Sequence, residues 1–114
     1  MVHPSLLPKY RGACPIQHAI LNGESQIGVS LIETSKNAFD QGRVLAQRRF
    51  PLTLSHKFSD MTVFLAEEGA GMVGEVLPQL QKYREQAWAQ DEREASKAPL
   101  IKDQGDFGRL RWER

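Results

Sequence analysis

The stretch His3-Pro4-Ser5-Leu6-Leu7-Pro8-Lys9-Tyr10-Arg11-Gly12-Ala13 constrains this chain more than any other. Two prolines hold φ near about −65° and remove two backbone donors. Each also pushes the residue before it toward extended geometry. Gly12 then allows a turn that other residues make only at a cost. The stretch cannot be a helix. It reads as a short, stiff loop with an imidazole at its start and Lys9, Tyr10 and Arg11 at its end. Leu6 and Leu7 are unusual inside a loop, and either plug a core or line a pocket.

The rest of the chain must supply what positions that loop. Pro15 to Gly23 reads as a short helix, with Pro15 suited to its first turn and Gly23 to its stop. Ile16, Ala19 and Ile20 share one face. Residues 26–34 read as a strand in which Ile27, Val29 and Leu31 alternate with Gly28, Ser30 and Ile32. Arg43 to Phe50 is a second strand, and the short polar connection predicts an antiparallel hairpin with Asp40 at its lip. Pro51 ends that strand and Ser55 is a candidate N-cap. Phe58, Met61, Leu65, Met72, Val76 and Leu80 then recur at helical spacing. Gly69, Gly71, Gly74 and Pro78 predict a kink or loose turn in this long helix. Tyr83 to Lys97 reads either as a solvated helix or as an extended linker with Trp88 tucked against the body. Ala98 to Ile101 is extended, Lys102 to Asp106 is a turn, and Trp112 has a buried-looking environment.

Composition removes several function classes. A chain of 114 residues with 40% hydrophobic content suits one small globular domain. A net charge of +1 gives no global reason to expect nucleic-acid binding. The single cysteine, Cys14, excludes an internal disulfide. No apolar run approaches the roughly eighteen residues of a membrane span, and no signal or transit peptide is recognisable. His3, His18 and His56 have no metal-ligand spacing. There is no glycine-rich phosphate loop. Arg48-Arg49 either touches phosphate or is a solvated strand edge that discourages aggregation.

Two residues invite chemistry. His3 reads as an acid/base or electrophilic group, because imidazole titrates near neutrality, or as a solvated histidine. Asp40 reads as a carboxylate that charges and orients an imidazole, or as a turn aspartate bonding its own backbone.

The pattern His-Pro-Ser-Leu-Leu-Pro-x-Tyr-Arg-Gly-Ala-x-Pro-Ile-Gln, His3 to Gln17, resembles the folate-dependent formyltransferase family, and within it the methionyl-tRNA branch. The likeness continues through Ala19-Ile20-Leu21-Asn22-Gly23, Gly28-Val29, Asp40-x-Gly42, Leu45-Ala46-Gln47, Leu77-Pro78, Ala98-Pro99 and Trp112. It implies an α/β fold: residues 1–81 as the C-terminal half of a Rossmann-like catalytic domain, with loop-helix, antiparallel hairpin and long helix. Residues 82–114 would be an extended linker leading toward a tRNA-binding domain that is absent. It implies formyl transfer from 10-formyltetrahydrofolate to the amino group of methionyl-initiator tRNA, with no metal. His3 matches the catalytic histidine and Asp40 the catalytic aspartate. Ser5, Leu6, Leu7 and Pro8 match the loop that packs around the folate. Met1 stands where the family has an asparagine, and the family's upstream strands are missing. An incomplete, inactive segment is therefore expected. Two rivals remain: a sugar-amine formyltransferase fragment, which would share Ser-Leu-Leu-Pro-x-Tyr-Arg-Gly, and a non-catalytic remnant acting as an interaction module through its uncovered helix stripe. The divergent turn Lys36-Asn37-Ala38-Phe39 points to a mitochondrial matrix copy, the alternative being bacterial cytoplasm.

Overall fold

Alternation in the central strand decides the architecture. A computed structural model describes residues 1–34, 40–52 and 58–101. Its elements run β1 (Val2–His3), α1 (Pro15–Leu21), β2 (Gln26–Ile32), β3 (Val44–Pro51), α2 (Phe58–Val76) and α3 (Leu80–Gln86), with 3-10 turns at Leu77–Gln79 and Glu92–Glu94. The sheet is antiparallel in the order β1-β2-β3. His3 lies opposite Ser30 and Val2 opposite Leu31. The β2–β3 register runs from Gln26 opposite Pro51 to Ile32 opposite Val44, with an irregularity at Leu31/Ile32.

Both faces of β2 are covered. Ile27, Val29 and Leu31 join Met61, Leu65, Met72 and Val76 of α2 in the main core. Period two on the strand meets a stripe at spacings of four and seven on the helix. The opposite face is covered by the proline loop. Ile32 and Val44 form a smaller cluster there with Leu7, and Gly28 lies directly under Leu6, whose Cδ2 would be 2.3 Å from an added Cβ. The mixed face read from the sequence is thus as buried as the apolar one, because a loop rather than solvent lies on it.

α1 starts on Pro15 and ends at Asn22, whose N–H bonds to His18 O, and Gly23 follows at φ 69°. Ile16 and Ala19 face the core. α2 runs unbroken through Gly69, which lies on its buried face, where an added Cβ would come within 2.6 Å of Val2 Cγ1. The expected kink falls at Leu77-Pro78, where the missing proline N–H tightens the chain into a 3-10 turn before α3 resumes.

Beyond α3 the chain is extended and returns to the body. Trp88 and Val44 exchange backbone hydrogen bonds of 2.8 and 3.1 Å. Ala98 is fully buried in the main core, its N–H bonding to Arg11 O at 2.6 Å. Of the two readings of residues 83–97, helix holds as far as Gln86, and extended chain interrupted by the 3-10 turn at Glu92–Glu94 follows it. Trp88 is anchored by its backbone while the residue stays 47% exposed. Arg48 is paired with Glu68 and Glu75 of α2 (each 2.6 Å). The hairpin turn at 35–39, Ser55, His56 and the tail from 102 onward, Trp112 included, lie outside the described residues. No helix among the described residues is long and apolar enough to cross a membrane.

Gly28→Ala tests the close contact of loop and strand. A Cβ there would also lie 2.4 Å from the backbone oxygen of Arg48, which cannot swing aside. Urea unfolding should show a loss of about 1–3 kcal/mol, through a lower midpoint at an unchanged denaturant slope.

Candidate active site

The proline loop is fastened to β2 by one hydroxyl. Ser30 Oγ, fully buried, donates to Ser5 O at 2.7 Å and accepts from Leu7 N–H at 3.2 Å. It also accepts from Gln47 Nε2 (2.9 Å), which donates in addition to Leu7 O (3.1 Å). Ser5 closes the loop from within, its Oγ donating to Lys9 O at 2.7 Å. The Leu7–Pro8 peptide is cis. The two leucines divide their work: Leu7 is buried against Ile32 and Val44, while Leu6 lies over Gly28 at the rim of a cleft.

The loop ends on Tyr10, at φ 61°. Its N–H bonds to Ser96 Oγ at 2.9 Å and its hydroxyl accepts from Asn22 Nδ2 at 3.1 Å. Its carbonyl faces the imidazole of His3, with Nε2 2.9 Å from Tyr10 O. A carbonyl only accepts, so Nε2 carries the proton of this bond. The other ring nitrogen, Nδ1, lies 3.4 Å from Asp40 Oδ1. The pair is nearly enclosed, with side chains 7% and 11% exposed.

Asp40 is itself held. Its Oδ2 accepts from Gly12 N–H at 2.9 Å. Its backbone sits at φ 61°, a region that Asp enters more readily than most residues. Gly42 follows against the neighbouring strand end, where a Cβ would fall 1.7 Å from Glu33 O. Only glycine fits there, so the tight turn onto β3 is a backbone requirement. Asp40 O and Gly42 O both accept from Gln90 Nε2. A buried imidazole with a carboxylate at one nitrogen and a neutral carbonyl at the other is arranged to hold, orient and exchange a proton.

The two residues singled out for chemistry thus meet, although they lie on different elements. Leu6, Leu7 and Pro8 line a cleft of about 490 Å³ that Lys9, Gln47, Arg49, Trp88 and Gln90 help to wall. Ser5 lies behind that lining. His3 and Asp40 are not part of its wall; Gln90, which is, donates to Asp40 O. Ser30, Gln47 and Gln90 were not marked as site residues by the sequence. The polar side of β2 hints at Ser30, whereas Gln90 sits in a stretch whose composition carries no signal. Among the described residues no group of His, Cys, Asp and Glu is placed to hold a metal.

A formyl transferase family model matches residues 1–77. The methionyl-tRNA formyltransferase of Levilactobacillus brevis is 43% identical over 101 residues, covering 89% of this chain and 32% of the relative. The chain belongs to the formyl transferase family. The methionyl-tRNA formyltransferase of a Synechococcus species (strain JA-3-3Ab) is 41% identical over 113 residues, covering 99% of this chain and 34% of that one. The chain therefore spans about a third of the length of these curated relatives. Among solved structures, the N-formyltransferase from Helicobacter canadensis, in complex with folinic acid and dTDP-3-aminofucose, superposes with a TM-score of 0.74 at 25% identity. It covers 86% of this chain and 36% of that one. The formyltransferase α/β fold is thus shared, and His3, Asp40 and Ser5 to Pro8 all lie within the family match.

Two outcomes follow from this geometry. Ser30→Ala would leave Ser5 O and Leu7 N–H without their buried partner, and denaturation should register a loss of about 1–3 kcal/mol. The second concerns Arg11, which bonds Glu92 through Nη1 at 2.9 Å. That hydrogen bond lowers the Glu92 carboxyl below its ordinary 4.5 and raises Arg11. Because the folded value is the depressed one, the pair's contribution is present above about 4.5 and lost as pH falls through the lowered value. The Arg11 Nη1–H resonance, which reports the bond to Glu92, should, as pH falls from neutral, persist until the solution is more acidic than an ordinary glutamate requires.

Proposed function

We propose that this chain carries the histidine–aspartate part of an enzyme that moves a formyl group from 10-formyltetrahydrofolate to the amino group of methionyl-initiator tRNA. The observation that carries this reading is the meeting of His3 Nδ1 and Asp40 Oδ1, linked through Gln90 to the cleft that Leu6, Leu7 and Pro8 help to line. Support for the donor comes from the lining: Leu6, Leu7 and Pro8 give it an apolar part, Gln26 and Gln47 offer amides, and Lys9 and Arg49 stand there with Glu24, Asp91 and Glu94. The folate, when bound, supplies the formyl carbon that the acceptor amine takes.

In this reading Ser5, Leu6, Leu7 and Pro8 seat the donor, with Ser5 shaping the loop. Asp40 keeps Nδ1 turned toward itself. Nε2, whose partner in the structure is the Tyr10 carbonyl, exchanges it for the oxygen on which charge develops. A donor placed in an enclosed site stabilises such charge strongly, and as the formyl carbon's bond to the folate nitrogen breaks, the same imidazole relays the amine's proton to that departing nitrogen. Met1 occupies the position where the resemblance places a further amide donor, so this chain is proposed to be a segment that needs the family's upstream part. Residues 82–114 are proposed to lead onward to a tRNA-binding domain. The proposed setting is the mitochondrial matrix or a bacterial cytoplasm, and the bacterial sources of the relatives support the second.

A second acceptor is kept because the Helicobacter canadensis neighbour was solved with an amino sugar nucleotide. One experiment separates the readings. In a chimera that gives this chain the upstream segment of the Levilactobacillus brevis relative, formyl transfer to initiator methionyl-tRNA is measured beside transfer to a dTDP-linked amino sugar. His3→Gln and Asp40→Asn should each slow transfer to the tRNA by about 10²–10³. Variants as fast as the parent would overturn the roles of the pair. Transfer to the sugar alone would move the second acceptor ahead.

A further inference from the structure

Among the described residues beyond α3, Gln90 reaches Asp40 with its side chain. Gln90 Nε2 donates to Asp40 O at 2.9 Å and to Gly42 O at 2.8 Å. Its Oε1 accepts from Arg11 Nε at 3.3 Å and Nη2 at 2.9 Å. Carbonyls only accept and a guanidinium only donates, so both ends of the amide are assigned by their partners. The turn between those two carbonyls is the one that carries Asp40 at positive φ and Gly42 against Glu33 O. Such backbone persists only where its surroundings over-determine it.

We infer that Gln90 is a positioning residue for Asp40. By tying both carbonyls of the turn to Arg11, it joins the hairpin end to the loop that holds His3, and so keeps the Asp40 carboxylate on Gly12 N–H and beside Nδ1. The importance of Asp40 rests on the proposed formyl transfer; the geometric claim does not. Gln90 can act only while its own segment is seated. Trp88 on Val44 and Ala98 on Arg11 and Cys14 seat it from either side. The pair is therefore ordered by three separate parts of the chain.

The test is Gln90→Glu, which keeps the length and the acceptor for Arg11 but sets an oxygen against two carbonyls. The readout is the Gly12 amide proton in the full chain, since that N–H bonds the Asp40 carboxylate directly. Asp40→Ala gives the reference for a lost contact. Gln90→Glu should move the Gly12 resonance in the same direction and speed its hydrogen exchange about tenfold. The amides of β2 and β3 should stay protected. Glu92→Gln, which touches Arg11 but not the turn, should leave Gly12 unmoved. A Gly12 signal unchanged in Gln90→Glu would overturn the inference. Loss of sheet protection along with it would do the same, making Gln90 a residue of the fold at large. Neither folate nor turnover enters the measurement, so failure of the formyl-transfer reading would leave its result standing.

Discussion

A buried hydroxyl couples the loop to the central strand of the sheet. Ser30 sits at the middle of β2, opposite His3 across the β1–β2 pairing, and its Oγ takes one bond and gives another to the loop. A residue of that size and polarity is needed because the loop lies directly on the strand, leaving no room for water. Gly28, two residues earlier on the same face, gives the clearance, and Ile32, two residues later, gives Leu7 its apolar seat. The three residues facing the loop therefore act in sequence as gap, anchor and socket. The pairing that aligns them also fixes where His3 emerges.

The cover over the opposite face is ordinary core, and that is why it was readable. Ile27, Val29 and Leu31 repeat at two, and Met61, Leu65, Met72 and Val76 repeat at four and seven. Both patterns report burial directly. The short helix announced itself through Pro15 and Gly23, and the kink through Pro78. The loop was legible as a stiff element from its prolines. Its burial was not, because a face of Gly, Ser and Ile has no period that distinguishes contact with a loop from contact with solvent.

Within the site, the resemblance of residues 3–17 and 40–42 to a family marked His3 and Asp40, and the fold brings them together. Local sequence alone left both open between chemistry and ordinary surface roles. What surrounds them was harder to foresee. Gln90 sits among Ala, Gln, Asp and Glu, and nothing in that composition points to a turn carried by another element. Side chains that serve backbone carbonyls leave little trace in a sequence, since their partners have no identity of their own. The same holds for Ser96, which takes the Tyr10 N–H.

β1 is only two residues long, and its pairing makes the direction of His3 a matter of parity. Side chains alternate across a strand, so sliding β1 by one residue along β2 would turn His3 into the apolar layer beneath α2 and bring Val2 out beneath the loop. Two hydrogen-bonding positions are a slight guard against such a slide. Gly69 adds a steric one: the notch it leaves on the helix receives the Val2 methyl and would meet an imidazole after a one-residue shift. A missing side chain on a distant helix thus acts as the key that lets the histidine face only one way.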